Sequence, residues 1–210
     1  MDVPTTAEYR ATVDAEYRKY AIDQGTARVR EVEENVTTPA MRRIESEDPD
    51  RHLVGLDCRL KGEDRISEKI TNWMDAEPTL TTEKAFSLLK DTIRYTFTYR
   101  EDRYSEGVEA DCGRLKAEGF ELVEHRNSWT DEQYKGINSR WRVPESGQLF
   151  EVQFHTEASF EAKQETHWAY EKLRSSSITE AEQSRLVEYQ RRITGRVEVP
   201  PGASDVPNNP

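Results

Sequence analysis

Cysteine is scarce: Cys58 and Cys112 are the only two in 210 residues. Two thiols cannot build a four-thiolate zinc centre or a disulfide framework, and neither lies in a C-x-x-C pair. They admit one disulfide in an oxidising compartment or two reduced thiols, so the compartment stays open. Long hydrophobic runs are missing too. No stretch approaches the ~18 apolar residues of a membrane span, and the start MDVPTTAEYR has no apolar secretory core. Positive charge is in deficit, with 30 Lys and Arg against 41 Asp and Glu and a formal net charge of −11. That balance excludes a general nucleic-acid or anionic-membrane binder, both of which need a cationic face, and leaves room for a small basic pocket. Familiar catalytic signatures are absent as well. The chain has no G-x-S-x-G, no Walker-type G-x-x-x-x-G-K-[ST], no G-x-G-x-x-G and no H-E-x-x-H. Any nucleotide handled here is handled without a glycine-rich loop.

What is present is aromatic. Four Trp, nine Tyr and six Phe anchor a core in a chain that is 34% charged. At this length roughly 70% of the unfolded surface can be buried. The first 36 residues read as helix, with a Thr5…Glu8 capping box and Tyr9, Val13, Tyr17 and Tyr20 at three-to-four spacing. Thr38-Pro39 reads as the start of a separate short helix through Ile44, and residues 45–52 as a polar loop. A strand is expected over 53–60, helices over 64–74 and 81–90, and a strand within 92–100. A helix over 104–118 ends at Gly119, and strands follow at 120–126, 137–143 and 149–155. The last two are joined by the turn Pro144-Glu145-Ser146-Gly147. Helices cover 157–174 and 179–193, the second opened by Thr179…Glu182. The pattern is an α/β domain, a mixed sheet of about five strands flanked by helices. It divides into a helical N-terminal extension (1–48), a main domain (49–196) and a flexible, Pro- and Asn-rich tail (197–210).

Five segments carry chemistry. Arg59, Lys61, Arg65 and Lys69 gather with Ser67 at a strand-to-helix junction, which reads as a phosphate site or as a salt-bridged helix start. Asp91 and Arg94 flank the beginning of an apolar strand. Tyr134, Lys135 and Asn138 surround a glycine turn, where tyrosine can stack on a base or simply pack. In Phe150–Thr156 the alternation puts Glu151, Gln153 and His155 on one face and the apolar residues on the other. Three functional side chains in line are costly to bury unless something uses them, while an outward polar face is the bland alternative. Last, His167-Trp168 sits on the following helix, with His167 four residues before Glu171 and no second histidine at metal spacing.

In this order, over about residues 50–175, these segments resemble the synthetase domain of the RelA/SpoT family. That family's pattern runs R-x-K-x₃-S-I-x-x-K, an acid before an I/V-R strand start, G-Y-x-S/G-I-H, E-x-Q-x-R-T and a helix bearing H-W. The counterparts are Arg59/Lys61/Ile66/Lys69, Asp91/Arg94, Tyr134/Gly136/Ile137/Asn138, Glu151/Gln153/Thr156 and His167/Trp168. Departures are Arg65 in place of serine (with Ser67 two residues on), Gln133 in place of glycine, Asn138 in place of histidine, and His155 in place of arginine. Asp91 also stands only three residues before Arg94.

The resemblance implies a nucleotidyltransferase-like synthetase that moves pyrophosphate from ATP to the 3′-hydroxyl of a purine nucleotide. It implies that Arg59 and Arg94 sandwich the adenine, and that Lys61, Ser67 and Lys69 hold the phosphates. Asp91 and Glu151 would bind Mg²⁺, and Glu151 would accept the hydroxyl proton. Tyr134, Lys135, Asn138, Gln153 and His155 would address the acceptor. The implied partners are ATP and a purine nucleotide, with no nucleic acid and no membrane; acceptor preference and oligomeric state stay open. A likeness in overall character to secreted nucleotide pyrophosphokinases favours secretion, after removal of a signal, over the cytoplasm. Two other classes remain: a catalytically inactive or toxin-associated nucleotide binder of the same fold, and an interaction protein that would expose Tyr9, Tyr17 and Tyr20.

Overall fold

A computed structural model describes residues 5–175 and 178–208, and the side chains of residues 6–11, including Glu8 and Tyr9, lie outside the description. The elements run α1 (Thr6–Val32), α2 (Thr38–Ser46), β1 (Arg51–Val54), α3 (Glu63–Ala76), α4 (Thr82–Ser87), β2 (Arg94–Tyr99), α5 (Tyr104–Ala117), β3 (Glu121–Asn127), β4 (Ile137–Arg142), β5 (Leu149–Thr156), α6 (Glu157–Leu173) and α7 (Glu180–Thr194). The five strands form one mixed sheet in the order β1-β2-β5-β4-β3. Among the described strands only β2 and β5 run parallel. Helices flank it, as the α/β reading expected.

Alternation decides which face of the sheet is which. Tyr95, Phe97 and Tyr99 of β2 align with Val152, Phe154 and Thr156 of β5, and Ile137 and Trp141 of β4 align with Phe154 and Phe150. These aromatics are fully buried and meet Met41 and Ile44 of α2 and Tyr104, Val108 and Leu115 of α5. Each such side chain contributes about 1.5–3 kcal/mol by leaving water. The opposite face carries Arg94, Thr96 and Thr98, then Glu151, Gln153 and His155, then Asn138 and Arg140, then Glu124 and Arg126. A smaller cluster, Ile22, Ile66, Ile70, Ala85 and Leu89, joins α1, α3 and α4. There α1 comes so close that a Cβ on Gly25 would stand 2.2 Å from the Phe86 ring.

Two expectations about single elements are corrected. The helix expected to begin at Thr38 is continuous with α1 through a π-helical turn, Glu33–Thr37. Pro39 has no N–H for the carbonyl four residues back, and the Thr38 N–H reaches the Glu33 carbonyl instead. That turn delivers Thr37 and Thr38, whose hydroxyls each lie 2.7 Å from the Tyr95 hydroxyl. Within the expected N-terminal extension, Val29, Ala40, Met41 and Ile44 contribute to the main core. The strand expected over 53–60 lies at 51–54, because Gly55 turns the chain at φ 67° into a 3₁₀ turn, Leu56–Cys58. The described part of the C-terminal segment packs against the domain: Ala203 is buried, Asn127 donates to the carbonyls of Ala203 and Val206, and Ser105 donates to that of Pro201. It covers the end of edge strand β3, a place where open backbone invites unwanted pairing.

Both cysteines are free. Val13, Tyr17 and Tyr20 are exposed, as the interaction-protein class requires of its tyrosines. No described helix is long and apolar enough to cross a membrane.

Candidate functional site

The parallel β2–β5 pair builds the site. The segment leading into β2 is zipped to the chain before α3 by two backbone bonds, Lys61 N–H to the Thr92 carbonyl at 2.8 Å and Arg94 N–H to the Arg59 carbonyl at 2.7 Å. This zipper brings the cations of one motif onto the acid of the next. Lys61 Nζ and Lys69 Nζ each lie 3.0 Å from one oxygen of Asp91. Burial pushes the Asp91 carboxyl up, but the lysine hydrogen bonds and charges outweigh it and hold the group down at about 2. One carboxylate thus sits between two ammonium groups in the way a phosphate oxygen pair would. Lys61, Arg65 and Lys69 line a cleft of about 450 Å³ together with Glu68, Trp73 and Glu171. The Lys69 ammonium stands 5.0 Å from the centre of the Trp73 ring.

One step along the sheet, Arg94 is in register with Glu151, and its Nε donates to Glu151 Oε2 at 2.8 Å. The register extends this pair into a row of alternating charge, Glu124, Arg140, Glu151 and Arg94, across four strands. Arg140 pairs with Glu124, and its Nε is buried without a partner. The next row contains Asn138, Gln153 and Thr96. Gln153 Nε2 donates to Glu151 Oε1 at 3.0 Å, and Gln153 Oε1 accepts from Lys163 Nζ of α6. Burial, reinforced by the charge of Arg94 and opposed by that of Glu151, pushes the Lys163 ammonium down to about 8.

Tyr134, Asn138, His155 and Ser159 form a chain of hydrogen bonds. The Tyr134 hydroxyl donates to Asn138 Oδ1 at 2.7 Å and meets His155 Nε2 at 2.9 Å, while His155 Nδ1 meets Ser159 Oγ at 2.8 Å. His155 is fully buried, and burial plus the charge of Lys163 pushes it well below the ordinary histidine range, so it is neutral. Gly136 permits this packing: at φ +146° it lies against the His155 ring, where a Cβ would approach Cε1 to 2.7 Å.

Several expected site residues are placed elsewhere. Ser67 faces a different cleft, shared with Asp14, Arg18 and Asp64 between α1 and α3, because two residues on a helix turn the chain about 200° away from Lys69. Lys135 donates to the Trp129 carbonyl at 2.7 Å. Arg59 donates to the buried Glu33 carboxylate at 2.6 Å and to the Leu56 carbonyl. His155 holds Tyr134 from behind rather than presenting a free ring nitrogen. His167 and Trp168 are exposed on α6, with Trp168 5.2 Å from the Tyr189 ring. Asp91, Lys61, Lys69, Arg94, Glu151, Gln153, Tyr134 and Asn138 fall on or beside the polar face of the β2–β5–β4 sheet. The residues that sequence reasoning missed there are Arg140 and Lys163. Arg140 shares the alternation that singled out Asn138, two residues earlier, and Lys163 lies two turns beyond the Thr156 cap of α6.

Asp91 and Glu151 are hard oxygen donors. Mg²⁺ is commonly bound by one or two carboxylates with substrate phosphates completing its shell, so this pair fits that ion in chemistry and number. Among the described residues no group of three or more acidic, histidine or cysteine side chains offers a self-sufficient metal cage.

No family model and no curated protein matches the chain. Solved structures similar to it include smu.1046c from Streptococcus mutans UA159, at 14% identity and a TM-score of 0.49 over 84% of this chain and 88% of that one. A GTP pyrophosphokinase family protein from Streptococcus pneumoniae is similar at 17% identity and a TM-score of 0.47, over 91% of this chain and 90% of that one. The small alarmone synthetase 1 from Bacillus subtilis bound to its product pppGpp is similar at 16% identity and a TM-score of 0.47, over 87% and 93%.

Proposed function

We propose that this chain transfers a pyrophosphoryl group from ATP to the 3′-hydroxyl of a purine nucleotide. The observation that carries the reading is the register of β2 against β5, which sets Arg94 beside Glu151 one step from the Asp91 carboxylate held between Lys61 and Lys69. A polyanion entering the cleft exchanges places with these internal carboxylates and inherits their cations. Lys61, Arg65 and Lys69 take the donor phosphates, and Arg94 flanks the donor base with its guanidinium plane. Tyr134, fixed at its hydroxyl, offers its ring to the acceptor base, while Asn138, Gln153 and Arg140 address the acceptor's sugar and phosphates.

Glu151 takes the proton of the 3′-hydroxyl. The 3′-oxygen forms a bond to the β-phosphorus, and the bond from that phosphorus to the oxygen bridging the α-phosphate breaks. AMP leaves with that oxygen. Mg²⁺ held by Asp91 and Glu151 would neutralise phosphoryl charge. The rate enhancement from this chain's own groups comes from alignment and from fixed positive charge around the transferring phosphorus. The test is incubation with Mg²⁺, ATP labelled at its β-phosphate and, separately, AMP, ADP, GMP, GDP and GTP. Label appearing on an acceptor with equimolar AMP supports the reading. ATP binding with no labelled product for any acceptor would indicate a nucleotide binder without turnover.

A further inference from the structure

We infer that Lys163 is a positioning residue for this transfer, fixing the amide of Gln153 and through it the carboxylate of Glu151. The inference deepens the proposed function and rests on its reading of Glu151 as proton acceptor. A lysine ammonium only donates hydrogen bonds, so the end of the Gln153 amide that meets it must be the carbonyl oxygen. The Thr96 hydroxyl, 3.5 Å from the same oxygen, is directed at that end too. The amide nitrogen is thereby turned to Glu151 Oε1 at 3.0 Å, while Arg94 Nε holds Oε2 at 2.8 Å. Both carboxylate oxygens then have a donor and the plane of the carboxylate is fixed. A flipped amide would set its carbonyl against the Glu151 carboxylate and its N–H groups against the ammonium, two repulsions in place of two hydrogen bonds.

The location of Lys163 is as constrained as its chemistry. Thr156 ends β5 and caps α6 in a reciprocal capping box with Ser159, so the helix is joined to the strand without slack. Two turns on, the ammonium stands 5.4 Å from the centre of the Phe160 ring. The groups that face it are Arg94 of β2, Glu151, Gln153 and neutral His155 of β5, and Phe160 of its own helix. The charge of Arg94 opposes that of Lys163 in this largely buried place and only Glu151 offsets it, an arrangement that costs stability. An apolar side chain of the same length would pack there without that cost, and only the donor is lost by exchanging it.

The test compares steady-state transfer by the wild type, Lys163→Met, Lys163→Arg, Gln153→Met and the double variant Gln153→Met/Lys163→Met, with a thermal melt confirming that each is folded. Lys163→Met is expected to lower kcat about 10–100-fold. Acceptor KM should stay within about threefold, since binding of substrate is not the interaction lost. Lys163→Arg restores most of the rate, and the double variant is no slower than Gln153→Met alone. A second readout needs no turnover: with ¹⁵N-glutamine labelling, the two Gln153 side-chain amide signals stand away from the positions of a solvent-exposed glutamine in the wild type and in Lys163→Arg, and move to those positions in Lys163→Met. Multiplicative losses in the double variant, or an unchanged Gln153 amide in Lys163→Met, overturns the inference. A wild type that makes no product sinks the transfer reading instead, and the amide spectrum still decides the role of Lys163.

Discussion

Single residues carry the most direct consequences of the geometry. Asp91 has a folded-state pKa of about 2 against an ordinary 3.8, so its pairing stabilises the fold above about pH 4 and that contribution is lost as pH falls toward 2. The shift corresponds to about 1–2 kcal/mol once solvent screening at a carboxylate 31% exposed is allowed for. Urea titrations of the wild type and Asp91→Asn should therefore differ at pH 7 and converge between pH 4 and pH 2. An equal difference at both ends would remove the ion-pair explanation. Gly136 is the second residue-scale case. At φ +146° and with the His155 ring in the way, Gly136→Ala should cost about 1–3 kcal/mol, read as a lowered thermal midpoint. It should also loosen Tyr134, because His155 supports that hydroxyl.

At the scale of elements, the strands were legible where alternation and punctuation agree. The hairpin of β4 and β5 follows from period-two patterning on both sides of Pro144–Gly147, with Gly147 at φ 70° closing the turn. The first strand was displaced because its apolar letters continue past Gly55, and nothing local says that this glycine takes a left-handed conformation. Cross-strand register was not legible at all. Glu151 and Gln153 could be put on one face, but that Arg140 stands beside Glu151 and Arg94 on its other side requires the pairing of β4, β5 and β2. Lys163 was hidden for a related reason, since its significance depends on how α6 is docked. The same holds for the buried cluster of β1, β2 and α5, where Asp111 accepts from Arg51, Arg114 and Tyr99. The Arg51 and Asp111 side chains are essentially sealed from solvent. Removing the acid strands a buried guanidinium, so Asp111→Ala should destabilise by about 3–5 kcal/mol in denaturant unfolding. A change below 1 kcal/mol would show that water reaches Arg51.

For the whole molecule, the deficit of positive charge with which the sequence opens takes on a spatial meaning. A net charge of −11 is distributed so that Lys61, Arg65, Lys69, Arg94, Arg140 and Lys163 fall along the polar side of the sheet and the adjoining α3 cleft. Acids of the fold itself, Asp91, Glu124 and Glu151, pair with Lys61 and Lys69, Arg140, and Arg94. Residues of the N-terminal helices supply part of the core, and the described part of the C-terminal segment covers the end of an edge strand. Composition could not show this, because Pro- and Asn-rich sequence looks the same whether it is solvated or docked. On the proposed reading, this arrangement moves pyrophosphate and Glu151 takes the proton. The most direct measurement is label transfer from ATP to a purine nucleotide in the presence of Mg²⁺ by the wild type and Glu151→Gln, with thermal midpoints recorded for both. The account predicts a labelled 3′-product and equimolar AMP from the wild type, and a rate lower by about 10²–10⁴-fold in a variant that remains folded. Undiminished transfer by Glu151→Gln would contradict it.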